Sequence, residues 1–121
     1  MMYFYVKINF MPQAKTELFE TELQTTSMFL KALSHPARLM IVKFLADCKS
    51  CYTGDITSEL PLSRTTINQH LDELRKAGLI MGHITGNKTS YCINQERIGE
   101  MKAVIGAYLD ELDISVPFKC E

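Results

Sequence analysis

Two of the four cysteines lie close enough in the chain to act on one soft ion. Cys48 and Cys51 form a C-x-x-C arrangement in the polar segment CKSCYTGD, with Lys49 beside them. A turn brings two thiols at this spacing to one side, where the thiolates bind a soft metal or close to a disulfide. The neighbouring lysine favours the thiolate form. The segment therefore predicts either a pair of ion ligands or a redox pair.

A polar helix face further along the chain matches the chemistry of DNA. The helix predicted at about 63–77 has Ile67, Leu71 and Leu74 on its apolar side. Arginine pairs with guanine O6 and N7, asparagine or glutamine with adenine N6 and N7, and hydroxyl groups suit phosphate oxygens. The predicted DNA contacts are Ser63, Arg64, Thr65, Thr66, Asn68, Gln69, His70 and, on a hairpin tip, Lys88.

Apolar spacing and helix stop signals predict three helices before this one. The first runs from Gln13 to Ser34, the second from Pro36 to about Ala46, and a small third from about Gly54 to Leu60, where Pro61 ends it. The third helix, a short break and the helix at 63–77 form a helix-turn-helix. The longer fourth helix is then the recognition helix.

A hairpin and a last helix complete the predicted fold. Gly78 closes the recognition helix, and β-prone stretches on either side of a Thr-Gly-Asn-Lys turn form a wing at about 79–94. The helix at about 95–113 carries a heptad seam that either covers the core or forms a dimer contact. Because a long helix also lies at the other end, we expect a homodimer through the N- and C-terminal helices. The seam consists of Ile98, Met101, Ile105, Tyr108 and Leu112.

Length and composition limit the function classes. With 121 residues, 46% of them hydrophobic, the chain is long enough for one domain at about 13–121, preceded by an apolar arm at 1–12 that is too short to span a membrane. No nucleophile–base pair, phosphate loop or carboxylate pair is present, so we expect no enzyme and no organic cofactor. Cysteines without a signal peptide indicate the cytoplasm.

The distribution of charge supports nucleic-acid binding more than the net charge does. The formal net charge is -1. Residues 62–90 hold four basic side chains against two acidic ones, whereas residues 91–121 hold three against six. The predicted recognition helix and wing are therefore locally positive, and the C-terminal part is acidic.

Residues 28–94 resemble the ArsR/SmtB family of winged-helix metalloregulatory repressors. Ser34–Leu39 is similar to the family's D-P-x-R-L helix start, Thr66–Leu71 to its T-V-S-x-H-L recognition helix, and Leu74–Leu79 to L-x-x-A-G-L. The resemblance implies a mainly α winged helix-turn-helix with a β-hairpin wing, a two-fold dimer on double-stranded operator DNA, and release by a bound metal or metalloid. This sequence departs from the family pattern at two positions. His35 replaces an N-capping Asp, and Asn68 replaces a Ser, where asparagine favours contact with adenine.

The inducer follows from the resemblance combined with the cysteines. Arsenite sensors of the family often carry a C-x-C pair near this place, and arsenite favours three thiolates. We therefore expect arsenite or another thiophilic metalloid at Cys48, Cys51 and Cys120, with Cys92 as the alternative third ligand. A second interpretation keeps the repressor and makes Cys48 and Cys51 a disulfide or persulfide switch. A winged-helix module that never contacts DNA is the third.

Overall fold

Four helices and a small antiparallel sheet make up the described part of the chain. The computed structural model describes residues 18–54, 56–86 and 88–120, so the predicted arm at 1–12 lies outside the described residues. No helix within these ranges is both long and apolar enough to cross a membrane. The elements are α1 Thr21–Ala32, α2 Pro36–Cys48, β1 Tyr52–Thr53, a 3₁₀ turn at Ile56–Glu59, α3 Arg64–Lys76, β2 Ile80–Thr85, β3 Lys88–Ile93 and α4 Gln95–Asp110.

The apolar sides of the helices meet the sheet in one core. On α3, the residues at i, i+4 and i+7 are fully buried, as the spacing predicts. They pack with side chains from α1, α2 and the start of the hairpin, so the core fixes the recognition helix against the rest of the domain. The largest fully buried side chains are Phe29, Ile41, Leu45, Ile67, Leu71, Leu74, Leu79 and Ile80.

The sheet differs from the predicted hairpin by one strand. Its order is β1-β3-β2, with both pairs antiparallel. In β1, Tyr52 lies opposite Tyr91 and Thr53 opposite Ser90. A two-residue strand is too short to show a period of two, so its sequence carries no strand signal. The extra strand attaches the segment after α2 to the wing.

The prediction of a third α-helix is wrong, because this segment forms a 3₁₀ turn. Instead of a helix over 54–60, the chain makes one 3₁₀ turn at Ile56–Glu59, with Ile56 and Leu60 buried. Six residues separate Gly54 from Pro61, and the four that form the turn make a short piece of the length that favours 3₁₀ geometry. The winged helix-turn-helix architecture is nevertheless confirmed.

Both ends of the central helices have side-chain or backbone caps. Although His35 replaces the expected Asp, its Nδ1 accepts a hydrogen bond from the backbone N–H of Ala37 at 3.0 Å, so α2 keeps an N-cap. At the end of α3, Gly78 has φ +79° and its N–H donates to the backbone carbonyl of Arg75 at 2.9 Å. The N–H of Leu79 donates to the Leu74 carbonyl at 3.1 Å, which completes a Schellman motif.

The heptad seam of α4 divides into two parts. Met101 is buried, and Ile98 and Ile105 pack against the same core, so the first part of the seam covers the domain's own interior. Further along the seam, Tyr108 is half-buried, and Leu112, just past the end of α4, is more than half exposed. The spacing alone did not separate these two roles.

Candidate DNA interface and thiol site

The N-terminal half of α3 presents polar side chains to solvent. Arg64, Thr65, Asn68 and Gln69 are exposed, while Ile67 holds the helix to the core. These four include the groups that match guanine and adenine edges. In the C-terminal half of α3 the charged side chains form ion pairs with each other, Arg75 with Asp72 and Lys76 with Glu73.

Ser63 and Thr66 contribute to the start of the helix itself. The Ser63 hydroxyl accepts a hydrogen bond from the Thr66 N–H at 3.4 Å and lies 3.0 Å from the Thr66 hydroxyl. Ser63 is therefore the N-cap of the recognition helix, and Thr66 is half-buried beside it. A phosphate oxygen at this helix end would approach the first backbone N–H groups of α3 as well as the two hydroxyls.

A cleft of about 490 Å³, here called the α3–wing cleft, separates the recognition helix from the wing. Its lining includes Arg64 and Asn68 from α3, Lys88 and Thr89 from β3, and Gly54 before the 3₁₀ turn. Among its described lining residues, the charged ones are Arg64 and Lys88, and both are cationic. The cleft thus brings three predicted DNA contacts, Arg64 and Asn68 of α3 and Lys88 of β3, onto one concave, positive surface.

His70 does not lie on this surface. It is 8% exposed, and its Nδ1 accepts a hydrogen bond from Nε of Arg38 at 3.1 Å. Its ring lies 4.2 Å from the ring of His35, centre to centre. Burial lowers the pKa of His70, and the nearby His35 and Arg38 lower it further. The inclusion of His70 among the DNA contacts was therefore wrong: it joins α3 to the start of α2.

Arg97 is a positioning residue that the sequence did not reveal. Its Nε donates to the carbonyl of Ala77, the C-cap of α3, at 3.1 Å. Its guanidinium carbon lies 4.7 Å from the centre of the Phe29 ring, and its other end pairs with Glu100. A single side chain of α4 thus touches the end of the recognition helix and α1. An arginine near a helix start has no sequence signal for such a role.

The structure pairs the cysteines differently from the predicted C-x-x-C. Cys51 forms a disulfide with Cys92, and their Cα atoms are 4.3 Å apart. Cys48, at the end of α2, and Cys120, in the exposed C-terminal segment, remain free thiols. No group of three or more His, Cys, Asp or Glu side chains is placed to hold a metal ion in the described ranges. The trio Cys48, Cys51 and Cys120 therefore does not assemble within the described protomer.

The pairing follows from the strand that the sequence did not predict. Tyr52 lies opposite Tyr91 in the β1–β3 ladder, so one step further along each strand Cys51 lies beside Cys92. Cysteines directly opposite on antiparallel strands lie close enough for a disulfide. Cys92 is buried and Cys51 is exposed. Cys92, the alternative third ligand, is thus the bonded partner of Cys51.

Comparison with known proteins agrees with this arrangement of elements. Residues 35–81 match the family model described as bacterial regulatory protein, arsR family. An HTH-type transcriptional regulator of Methanocaldococcus jannaschii is 38% identical over 71 residues, which cover 59% of this chain and 80% of that protein. The cadmium resistance transcriptional regulatory protein CadC of Listeria innocua is 29% identical over 109 residues, or 90% of this chain and 83% of CadC.

A solved structure gives the same result for the fold. The crystal structure of a possible transcriptional regulator for arsenical resistance superposes with a TM-score of 0.60 at 26% identity, covering 77% of this chain and 97% of the other. The matched relatives are transcriptional regulators, a class that is not enzymatic. The helix-turn-helix, the wing and these likenesses together place the chain in the ArsR family of bacterial regulatory proteins.

Proposed function

We propose that two copies of this chain bind a two-fold-symmetric operator in double-stranded DNA and repress transcription from it. The observation that carries the proposal is the positive α3–wing cleft, beside the exposed N-terminal half of α3. In this arrangement α3 enters the major groove, where Arg64 contacts guanine and Asn68 and Gln69 contact adenine. Lys88 binds the phosphate backbone beside the site.

The homodimer is supported by an apolar surface on the terminal helices. Leu23 and Leu30 of α1 and Leu109 of α4 are each more than two-fifths exposed. Clefts between α1 and α4 have linings rich in apolar atoms and include Leu23 and Tyr108. A second copy covers this surface and places the second α3 in the next major groove, about 34 Å along the duplex.

The DNA contacts are tested by operator selection followed by substitution. Sequences selected from random duplexes by the reduced wild-type protein serve as the operator. We expect Arg64→Ala or Gln69→Ala to cost about 1–3 kcal/mol of binding and to relax the preference at one base position. Lys88→Ala should weaken binding to all sequences and reduce the salt slope by about one.

Lys43→Ala is the matched control, because this lysine is exposed on α2 and pairs with Asp47 away from the cleft. It should bind the operator like the wild type. If Arg64→Ala and Gln69→Ala both bind like the control, the chain does not read DNA through α3. The alternative of a winged-helix protein-interaction module would then be preferred.

Release from the operator is proposed to depend on Cys51 and Cys92. Their bond holds the segment at Cys51, which precedes both the 3₁₀ turn and α3 in the chain, against β3 of the wing. Because α3 and the wing both contact DNA, forming the bond changes the geometry of two contacts at once. The reduced dithiol binds the operator, and oxidation by hydrogen peroxide gives the disulfide and two waters and releases the DNA.

This switch is tested by measuring operator affinity for the reduced and the oxidised protein. We expect oxidation to weaken binding on the order of tenfold, the size of a typical coupling between sites. Cys92→Ser should bind DNA in the presence of peroxide, whereas Cys48→Ser should respond like the wild type. Equal affinities for the two oxidation states would exclude the switch.

The metalloid alternative draws support from the possible regulator of arsenical resistance whose crystal structure superposes on this chain. It predicts that arsenite releases the reduced protein without an oxidant, using thiolates of Cys48, Cys51 and Cys120. Release that is lost in Cys48→Ser and in Cys120→Ser would favour arsenite over the redox switch. Release that is lost in Cys92→Ser instead would assign the metalloid to the Cys51 and Cys92 dithiol.

A further inference from the structure

The disulfide lies in a groove of about 670 Å³, here called the sulfur groove. The end of α2, the sheet and α4 form its walls, and Cys51 and Cys92 are part of its lining. Lys49 lines it from the α2 side and Lys102 from the α4 side. No acidic residue lines the groove within the described residues. The two sulfurs therefore share an open groove with two cationic side chains.

We propose that the sulfur groove is an exchange site for small anionic thiols and their disulfides. The inference rests on the proposed function for its biological meaning, but the exchange itself requires no DNA. A thiol that also bears a carboxylate or a similar anion is attracted by Lys49 and Lys102, which raise its concentration beside the sulfurs. Apolar side chains such as Met81 and Ile98 accommodate its carbon chain.

The difference in burial determines which sulfur is attacked. Cys51 is exposed, whereas Cys92 is 6% exposed. An incoming thiolate therefore bonds to the sulfur of Cys51, the Cys51–Cys92 bond breaks, and the electron pair leaves on Cys92, which takes a proton from water. A second thiolate then attacks the external sulfur of the mixed disulfide and leaves Cys51 as a thiolate. Both electrons of the reduction come from the two small thiols.

The reverse sequence oxidises the pair with the same chemical class of reagent. The Cys51 thiolate attacks a small anionic disulfide, forms the mixed disulfide and expels one thiolate. Cys92 then gives up its proton, attacks the sulfur of Cys51 and expels the second thiolate. The oxidation state of the chain thus follows the ratio of that thiol to its disulfide. Lys49 and Lys102, rather than the sulfur atoms, select reagents that are anionic.

Reduction rates of the oxidised wild-type chain, measured without DNA, test the inference. The reagents are 3-mercaptopropionate, which is anionic, 2-mercaptoethanol, which is neutral, and cysteamine, which is cationic. Each rate is divided by the wild-type rate with the same thiol, so the reagent's own reactivity cancels. For the double variant Lys49→Gln/Lys102→Gln we expect an approximately fivefold loss with 3-mercaptopropionate, whose attacking thiolate form carries two negative charges. We expect a smaller loss with 2-mercaptoethanol, whose thiolate carries one negative charge, and no loss with cysteamine, whose thiolate form has no net charge.

Three controls keep the result specific. Lys31→Gln removes an exposed lysine from α1 and should leave all three rates unchanged. Lys49→Arg/Lys102→Arg keeps both charges and should retain the wild-type rates. The loss should also shrink in 1 M salt, where the screening length is about 3 Å. An equal loss with all three thiols, or no loss with any, would overturn the proposed charge selection.

The site of attack is measured separately. In Cys48→Ser/Cys92→Ser/Cys120→Ser, Cys51 is the one cysteine left, so incubation with the disulfide of 3-mercaptopropionate should accumulate the mixed disulfide on Cys51. In the wild type, acid quenching followed by peptide mass spectrometry should find the same adduct there. An adduct chiefly on Cys92 would contradict the proposed order of steps. Equal operator affinity of the two oxidation states would remove the DNA switch and leave the exchange site standing.

Discussion

His70 illustrates how burial gives a histidine a role other than DNA contact. The residue lies on the recognition helix, but its Nδ1 accepts from Arg38 and its ring packs against His35. Protonation would remove the acceptor and add a positive charge beside the Arg38 guanidinium. Burial, and after it His35 and Arg38, lower the pKa of His70, so the folded protein favours the neutral form of this side chain. Acid therefore acts on the contact between α2 and α3.

This contact predicts a pH-dependent stability. Since the folded chain keeps His70 neutral more strongly than the unfolded chain does, the unfolded state binds more protons as the pH falls below about 6.5. The contribution of His70 is present at pH 7 and is lost as the pH falls through the lower, folded pKa. We expect a lower urea midpoint at pH 5 than at pH 7, and a smaller difference in His70→Asn.

His83→Asn is the control, because His83 is exposed on the wing. It should keep the wild-type difference between the two pH values. Asn at position 70 still offers an acceptor to Arg38 but does not titrate. An unchanged pH dependence in His70→Asn would show that other groups cause the acid sensitivity.

At the residue scale, the sequence predicted the chemistry of individual side chains better than it predicted the residues that they contact in the fold. Arg64, Asn68 and Gln69 are polar residues on a helix whose apolar residues recur at helical spacing on the other side, so their exposure follows from periodicity. His70 is adjacent to Leu71 and also faces inward, which composition alone does not indicate. The partner of Cys51 is 41 positions away in the sequence. No local spacing encodes such a contact.

At the element scale, the joint between α3 and α4 depends on one glycine and one arginine. A Cβ at Gly78 would lie 3.2 Å from Nε of Arg97, whereas a Cβ at Gly86 would have nothing within 4 Å. Both glycines have positive φ, +79° and +66°. Alanine at either position therefore meets similar backbone strain, and at Gly78 it also displaces the arginine.

The two glycines form a matched pair for measurement. We expect Gly86→Ala to destabilise the domain by about 1 kcal/mol and Gly78→Ala by about 1 kcal/mol more, measured by urea unfolding. In the Arg97→Ala background the two substitutions should cost the same. If Gly78→Ala keeps its excess cost in that background, the contact with Arg97 is not the cause.

Long elements with a clear period were predictable, and short ones were not. The recognition helix and α2 have start signals at Ser63 and Pro36 and apolar residues at helical spacing. The 3₁₀ turn at Ile56–Glu59 and the strand β1 each form through contacts with the rest of the fold. The core below the turn and the edge of β3 decide their conformation. Sequence patterns within four residues contain too little information for either.

At the scale of the whole molecule, the exposed apolar surface on α1 predicts the assembly. Leu23→Glu should weaken the homodimer and make operator binding depend more steeply on protein concentration, because it buries a charge against the partner. Leu39→Glu is the control. Leu39 is 53% exposed on α2, one turn from Lys43, on the solvated side of the domain.

Sedimentation velocity of both variants at several concentrations measures the effect. The wild type and Leu39→Glu should sediment as dimers under conditions where Leu23→Glu sediments as a monomer. A dimer of unchanged stability in Leu23→Glu would place the contact elsewhere on the chain.

Oxidation also changes the covalent topology of the molecule. The Cys51–Cys92 bond closes a ring around the 3₁₀ turn, α3, β2 and most of β3, while α1 and α4 stay outside it. A crosslink over 41 positions removes unfolded-chain entropy equivalent to about 4 kcal/mol. A protease cut between β2 and β3 therefore splits the reduced chain into two fragments. The same cut in the oxidised chain leaves one covalent molecule, with its recognition helix still attached to both terminal helices.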